Sequence, residues 1–177
     1  VNLDRTPPPN PYDHLPQVPG FSVTSAEVTD GEPLDLAQVH HSADGGNTSP
    51  SLAWSGAPAG TQSFAVTCYD PDAPTGSGWW HWLVADLPAG TTALPAGAGG
   101  GTGLPDGAVQ FRTDYGTHGY QGAAPPPGDH PHRYYFVVHA LDTAELGLGA
   151  DTPAAVVGFH LTAHALARAT VVGTYQR

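Results

Sequence analysis

The sequence predicts a mainly β fold, an antiparallel β-sandwich with a few peripheral helices, and three observations carry that prediction. Glycine and proline number 23 and 19 among 177 residues. That share is high and has no fixed period, which excludes collagen and favours a turn-rich chain. Apolar stretches are short and alternate with polar residues or turn formers, the pattern of half-buried strands. Only residues 153–169 sustain a helical pattern. The length is that of one domain, and 40% hydrophobic residues can fill a core without disulfide or metal staples.

Each element follows from local chemistry. Residues 1–19 carry Pro7, Pro8, Pro9, Pro11, Pro16 and Pro19, which forbid a helix and cannot feed a central strand. They read as an extended arm, and residues 20–177 as a single domain. Rough alternation over 21–28 suits a strand, 40–50 are turn formers, and 51–54 reads as a short strand. The clearest strand is 63–69, with Phe64, Val66 and Cys68 on one face and Ala65, Thr67 and Tyr69 on the other. A second apolar segment covers 81–85, and 88–107 is a long Gly/Pro/Ala loop. Residues 108–112 suit a short strand, and 134–141 a buried central one, aromatic and β-branched on both faces. Thr152 is expected to cap the helix over 153–169, Pro153 suits its first turn, and Val157, Leu161 and Ala165 share the face that packs on a sheet. A last strand is expected over 171–175.

Composition narrows the chemistry. The formal net charge is −11, and the five cations are the scattered Arg5, Arg112, Arg133, Arg168 and Arg177, so no basic patch meets nucleic acid or an anionic membrane. Without lysine there is neither Schiff-base catalysis nor a lysine-bearing phosphate loop. The single Cys68 makes no internal disulfide and reads as a small buried residue of its strand. No apolar run reaches a membrane span, and Val1 to Arg5 lacks a signal-peptide core, so a cytoplasmic location is expected. No cofactor is called for. His160 and His164 stand one helical turn apart, without the glutamate of a zincin or a visible third ligand, and read as structural rather than metal-binding. His40, His41 and His130 read as solvated loop histidines. Trp79, Trp80 and Trp82 are divided between core and stacking surface.

Two stretches remain that could hold a ligand. Asp70-Pro71-Asp72-Ala73-Pro74 is a proline-stiffened turn that fixes two carboxylates just before His81. Gly122 to Tyr134, with Pro125-Pro126-Pro127-Gly128-Asp129-His130-Pro131-His132-Arg133, is a rigid run. It delivers His132 and Tyr134 onto one face of the strongest strand. Histidines, a tyrosine hydroxyl and an aspartate converging there suit a small anion or zwitterion.

These motifs, with Trp80-His81-Trp82-Leu83-Val84, Ser49-Pro50, Leu52, Trp54 and Asp114-Tyr115-Gly116, resemble the phosphatidylethanolamine-binding protein family, in its bacterial Raf-kinase-inhibitor-like branch. The resemblance runs from about Phe21 to the end. It implies a β-sandwich whose small cavity binds phosphate-type anions and phospholipid headgroups. It implies a lining of Asp70, His81, Gly122, Pro125, Pro126, His132 and Tyr134, with Trp79 and Tyr120 nearby, while Asp72 and Arg133 hold the two loops together. It also implies a homodimer. The pattern departs at Ala124, where animal members carry glycine, and the extra methyl is expected to narrow the cavity or deny a backbone approach.

Three functions are open on these residues. The first is binding of a small anionic or zwitterionic ligand, and the second, which only the resemblance implies, is inhibition of a kinase or protease. The third is an enzyme with Asp70, His81 and His132 in acid/base roles. Binding is favoured because no activated nucleophile and no Gly-x-Ser-x-Gly elbow occur. Asp70 would repel a phosphate unless protonated, paired with a histidine or facing an ammonium, so preference for zwitterions, or for anions at mildly acidic pH with His81 and His132 charged, is expected.

Overall fold

The computed structural model describes residues 3–177. In chain order the strands are β1 (Ser22–Thr24), β2 (Leu52–Ser55), β3 (Ser63–Asp70), β4 (Trp79–Pro88), β5 (Ala93–Leu94), β6 (Val109–Gln110) and β7 (His132–Leu141). Helix α1 (Ala154–His164) and strand β8 (Ala165–Tyr175) follow. The strands form two antiparallel sheets, a small one in the order β1-β2-β5 and a large one in the order β6-β4-β3-β7-β8.

The alternation read from β3 decides what lies on each side of the large sheet. Phe64, Val66 and Cys68 pack with Trp82, Val84, Phe136 and Val138 against Leu52, Trp54 and Leu94 of the small sheet, forming the main core. Ala65, Leu83, Ala85 and Leu141 face the other way and are covered by Val157 and Leu161 of α1. Both faces of the central strands are therefore dry, as their aromatic and β-branched composition requires.

The helix is shorter than its expected span of 153–169. It ends at His164, and from Ala165 the chain pairs with β7, Arg168 opposite His139 and Val171 opposite Phe136. Alanine-rich sequence favours helix by propensity, but a ladder that buries Ala167, Ala169 and Val171 at alternate positions outweighs it. That two-residue period was the signal in the sequence. Ala165 accordingly lies beyond the helical face, and Thr152 makes no cap: Pro153 occupies the N-cap position without a side-chain hydrogen bond. Strand β1 is also shorter than 21–28, because Glu27 turns its carboxylate to the Ser51 amide and hydroxyl and ends the pairing.

The proline-rich arm lies along the outer face of the large sheet. Arg133 donates from Nη2 to the Pro8 carbonyl at 2.6 Å, and Arg168 from Nη1 to that of Pro16 at 3.1 Å. The arm is not wholly extended, since Pro11–His14 makes one 3-10 turn capped by Asn10. No helix among the described residues is long and apolar enough to cross a membrane.

Candidate functional site

Antiparallel pairing gathers the site. Strand β3 runs between β4 and β7, so its last residue, Asp70, lies opposite Trp79 at the start of β4, while Tyr69 pairs with Tyr135 near the start of β7. Three strand ends meet at one edge of the sheet. The Asp-Pro-Asp turn is locked from within, because Oδ1 of Asp70 accepts the amides of Asp72 at 2.8 Å and Ala73 at 3.1 Å. The Asp72 carboxylate takes the Arg133 amide, Nε and Nη2, each at 2.8 Å. This bidentate pair ties the loop after β3 to the start of β7.

His132 stands between two carboxylates. Its Nδ1 is 2.7 Å from Oδ2 of Asp70 and its Nε2 is 3.0 Å from Oδ2 of Asp129. Asp129 in turn receives both terminal nitrogens of Arg5, at 2.9 and 2.8 Å. Asp70, Asp129 and His132 are all buried. Burial opposes charge on the imidazole, but the hydrogen bond and charge of Asp70, then those of Asp129, outweigh it and push the His132 pKa up. Burial likewise opposes charge on Asp129, yet the Arg5 and His132 hydrogen bonds hold its carboxyl well below the usual range.

His81 is the opposite case. Its Nδ1 lies 2.7 Å from the Gln121 carbonyl and 3.1 Å from that of Gly122. Carbonyls only accept, so Nδ1 carries the proton. Burial lowers the His81 pKa, with Asp70 opposing, and the neutral ring presents a bare Nε2 4.0 Å from Oδ2 of Asp70. The expectation that His81 and His132 are jointly charged and offered to an anion is therefore revised. His132 holds charge but spends both N–H groups on carboxylates, while His81 is kept neutral.

A cavity of about 310 Å³ opens over these groups, lined among others by Asp70, Trp79, His81, Pro125, Pro126 and His132. Ala124 is also in its wall, so its methyl occupies space where a glycine would leave room. Gly122, Tyr120 and Tyr134 lie outside the lining. Gly122 holds His81 from behind; a Cβ there would stand 2.4 Å from backbone atoms of Val39 and His40. Tyr120 is a core residue, donating its hydroxyl to the Gln38 carbonyl at 2.7 Å and stacking on Phe136. Tyr134 packs edge-on to His81 at 5.1 Å, and its buried hydroxyl has no partner among the described residues; burial, then the Asp70 charge, pushes its pKa well up.

Sequence reasoning missed Tyr115, Ser42 and Thr75 in the cavity wall, and it read Ala73 and Pro74, also in the wall, only as part of the turn that fixes Asp70. Tyr115 stacks on His40 at 4.7 Å and stands edge-on to both Trp79 and His81. Its signal was the Asp114-Tyr115-Gly116 motif, in which Asp114 anchors the segment by accepting the Trp80 amide at 2.7 Å. Asp129 and Arg5 had no signal, because their pairing spans 124 positions. Of the other tryptophans, Trp82 is core and donates to Gln110, whereas Trp80 packs on Tyr69 on the outer face. His164 pairs with Asp142 at 2.8 Å, and burial pushes the Cys68 thiol up, leaving it inert.

The fold is a two-sheet sandwich with a carboxylate-histidine cavity where three strand ends meet, and comparison with known proteins gives its family. The profile of the phosphatidylethanolamine-binding protein family matches residues 24–176, and the chain belongs to that family. Escherichia coli YbcL, a UPF0098 protein, is 52% identical over 164 residues, covering 90% of each chain. Escherichia coli YbhB is 51% identical over 158 residues, covering 88% of this chain and 99% of YbhB. The crystal structure of YbcL superposes with a TM-score of 0.86 over 89% of this chain and 98% of that one. A Chlamydia trachomatis homologue, at 28% identity, gives 0.74 over the same shares.

Proposed function

We propose that the Asp70-His81 cavity binds a small phosphate-bearing anion or zwitterion, and that it takes this ligand with a proton. The observation that carries the reading is the charge arrangement. The formal charges of Asp70, His132, Asp129 and Arg5 cancel, so the relay contributes no net attraction, and His81 offers a bare nitrogen. A phosphate dianion would set two negative charges beside the Asp70 carboxylate, and among the described lining residues no free cation offsets them. A phosphate monoanion carries one charge fewer and can donate a hydroxyl to His81 Nε2 or to Asp70, and an ammonium group can meet Asp70 directly. Trp79 and Tyr115 supply the apolar wall over which the rest of a headgroup would lie.

The test is calorimetric titration of inorganic phosphate and of phosphoethanolamine into the protein at pH 6, beside His81→Phe, which keeps a flat ring and removes Nε2. Binding of both ligands, weakened about tenfold or more in the variant, supports the reading. A folded wild-type protein that gives no heat with either ligand overturns it.

One observation favours a second reading, an enzyme using general acid/base chemistry. His81 Nε2 is an unprotonated imidazole nitrogen in a cavity beside a carboxylate, the arrangement of a general base. In that reading Asp70 and His81 touch the substrate, and His132 positions Asp70. Turnover of a small metabolite that is lost in His81→Phe would favour it over binding alone.

A further inference from the structure

The face of the large sheet away from the main core carries a second cavity that the Asp70-His81 site does not use. It lies between the N-terminal arm and α1 and has a volume of about 390 Å³. Its lining includes Tyr12 from the arm, Tyr69, Trp80 and His139 from the sheet, and Gly158 and Phe159 from the helix. Among the described residues, no charged side chain lines it. Tyr69 and Trp80 form an aromatic surface with ring centroids 4.5 Å apart. Gly158 brings the helix close to one edge of that surface, where a Cβ would make van der Waals contact with the Trp80 ring at 3.5 Å and a longer side chain would enter the cavity. Phe159 is 70% exposed, an unusual place for a phenyl ring with nothing over it.

One polar group in this wall is incomplete. His139 is only 4% exposed, its Nε2 is 3.2 Å from the Thr67 hydroxyl, and its buried Nδ1 has no hydrogen-bond partner among the described residues. Buried polar atoms are normally paired, and an unpaired one marks a place for a missing partner. Burial pushes the His139 pKa down to about 3, with Arg168 adding to the effect, so the ring is neutral under ordinary conditions. The Thr67 hydroxyl can donate or accept, which leaves Nδ1 able to accept from a hydroxyl or donate to a carbonyl.

We propose that this cavity is a second ligand site, for a flat, uncharged, ring-containing molecule with one hydroxyl or carbonyl group. The ring lies on Tyr69 and Trp80 beneath Phe159, and the polar group completes His139 Nδ1. The volume falls within the range of small-molecule sites, and apolar walls with a single fixed polar group are their usual composition. A charged ligand is disfavoured because it would find no counter-charge in the wall. The proposal does not rest on phosphate binding, which is proposed for the cavity on the other side of the same strand ends, where Asp70 and His81 stand beside Tyr69 and Trp80 in sequence.

The probe is 2-naphthol, with naphthalene as the analogue lacking the hydroxyl, followed by quenching of tryptophan fluorescence and by calorimetry. Wild type is expected to bind 2-naphthol about tenfold more tightly than naphthalene. His139→Phe is expected to erase that preference. Gly158→Leu, which fills the space over Trp80, is expected to weaken 2-naphthol at least tenfold while its phosphate titration matches wild type. Ala155→Leu, at an exposed position on the same wall, is the second blocking variant in case the first folds poorly. No binding to wild type, equal binding to wild type and both blocking variants, or a hydroxyl preference that survives His139→Phe would each overturn the proposal.

Discussion

Nδ1 of His132 lies 2.7 Å from Oδ2 of Asp70, and on the other edge of the same ring Nε2 lies 3.0 Å from Asp129. A carboxylate can only accept, so the ring between them carries both protons and is an imidazolium. It is the cation that allows two buried carboxylates to coexist a ring's width apart.

Removing that cation is therefore costly. His132→Ala leaves Asp70 without its ring partner and Asp129 with only Arg5 and the His130 amide, and about 3–5 kcal/mol of stability at neutral pH is the expected loss. Urea unfolding measures it, and a loss below about 1 kcal/mol would speak against a charged ring. The sign with pH follows from the raised His132 pKa. Its contribution is complete below the ordinary histidine value and fades as pH rises through the raised one, so wild type loses stability toward alkaline pH.

Arg5 acts from the arm through Asp129. Its side chain is 25% exposed, so Arg5→Met is expected to cost about 2 kcal/mol, less than a fully buried pair. The lowered Asp129 pKa stabilises the fold above the ordinary carboxylate range and is lost as pH falls through it, so the gap between wild type and variant should close in acid. Arg5 also approaches His132 Nε2 to 3.5 Å, and its removal should raise the His132 pKa further, read by NMR titration of the ring. A fall in that pKa would contradict the relay.

Much of this was legible in the chain, and the reasons are local. The period of two in β3 announced both faces of the large sheet, and the Asp-Pro-Asp turn is an internal hydrogen-bonded unit whose residues are adjacent. Asp72 and Arg133 stand in recognisable motifs although their bond spans 61 positions. Arg5 does not, since nothing near it in sequence indicates a partner beyond the arm. The end of α1 was misread because alanines serve helix and strand alike, and only pairing with β7 decides between them. Tyr120 and Tyr134 were placed by motif, but which way a tyrosine on a buried strand points in relation to a cavity depends on neighbouring strands.

Gly122→Ala tests how His81 is held. The added methyl would meet the backbone of Val39 and His40 at 2.4 Å, and backbone cannot swing aside as a side chain can. A stability loss of about 3 kcal/mol is expected, together with weaker phosphate binding as the Gln121 and Gly122 carbonyls leave His81 Nδ1. Unchanged stability and binding would show that the close packing is not needed.

His139 should make the fold acid-sensitive. Its pKa is depressed to about 3 by burial, so below the ordinary histidine value the unfolded chain takes a proton that the native state refuses. Stability present above that value is lost as pH falls, by about 2 kcal/mol between pH 7 and pH 5. His139→Phe should flatten this part of the pH profile in urea unfolding, and an unchanged slope would place the acid sensitivity elsewhere.

The central claim is that an anion enters the Asp70-His81 cavity together with a proton. Calorimetric titration of inorganic phosphate at pH 8, repeated in two buffers of different ionisation enthalpy, counts the protons taken up. Uptake approaching one proton per bound phosphate is the predicted result. Binding at pH 8 with no proton uptake would contradict it, since the dianion would then be held against Asp70 by a positive charge that the site does not possess.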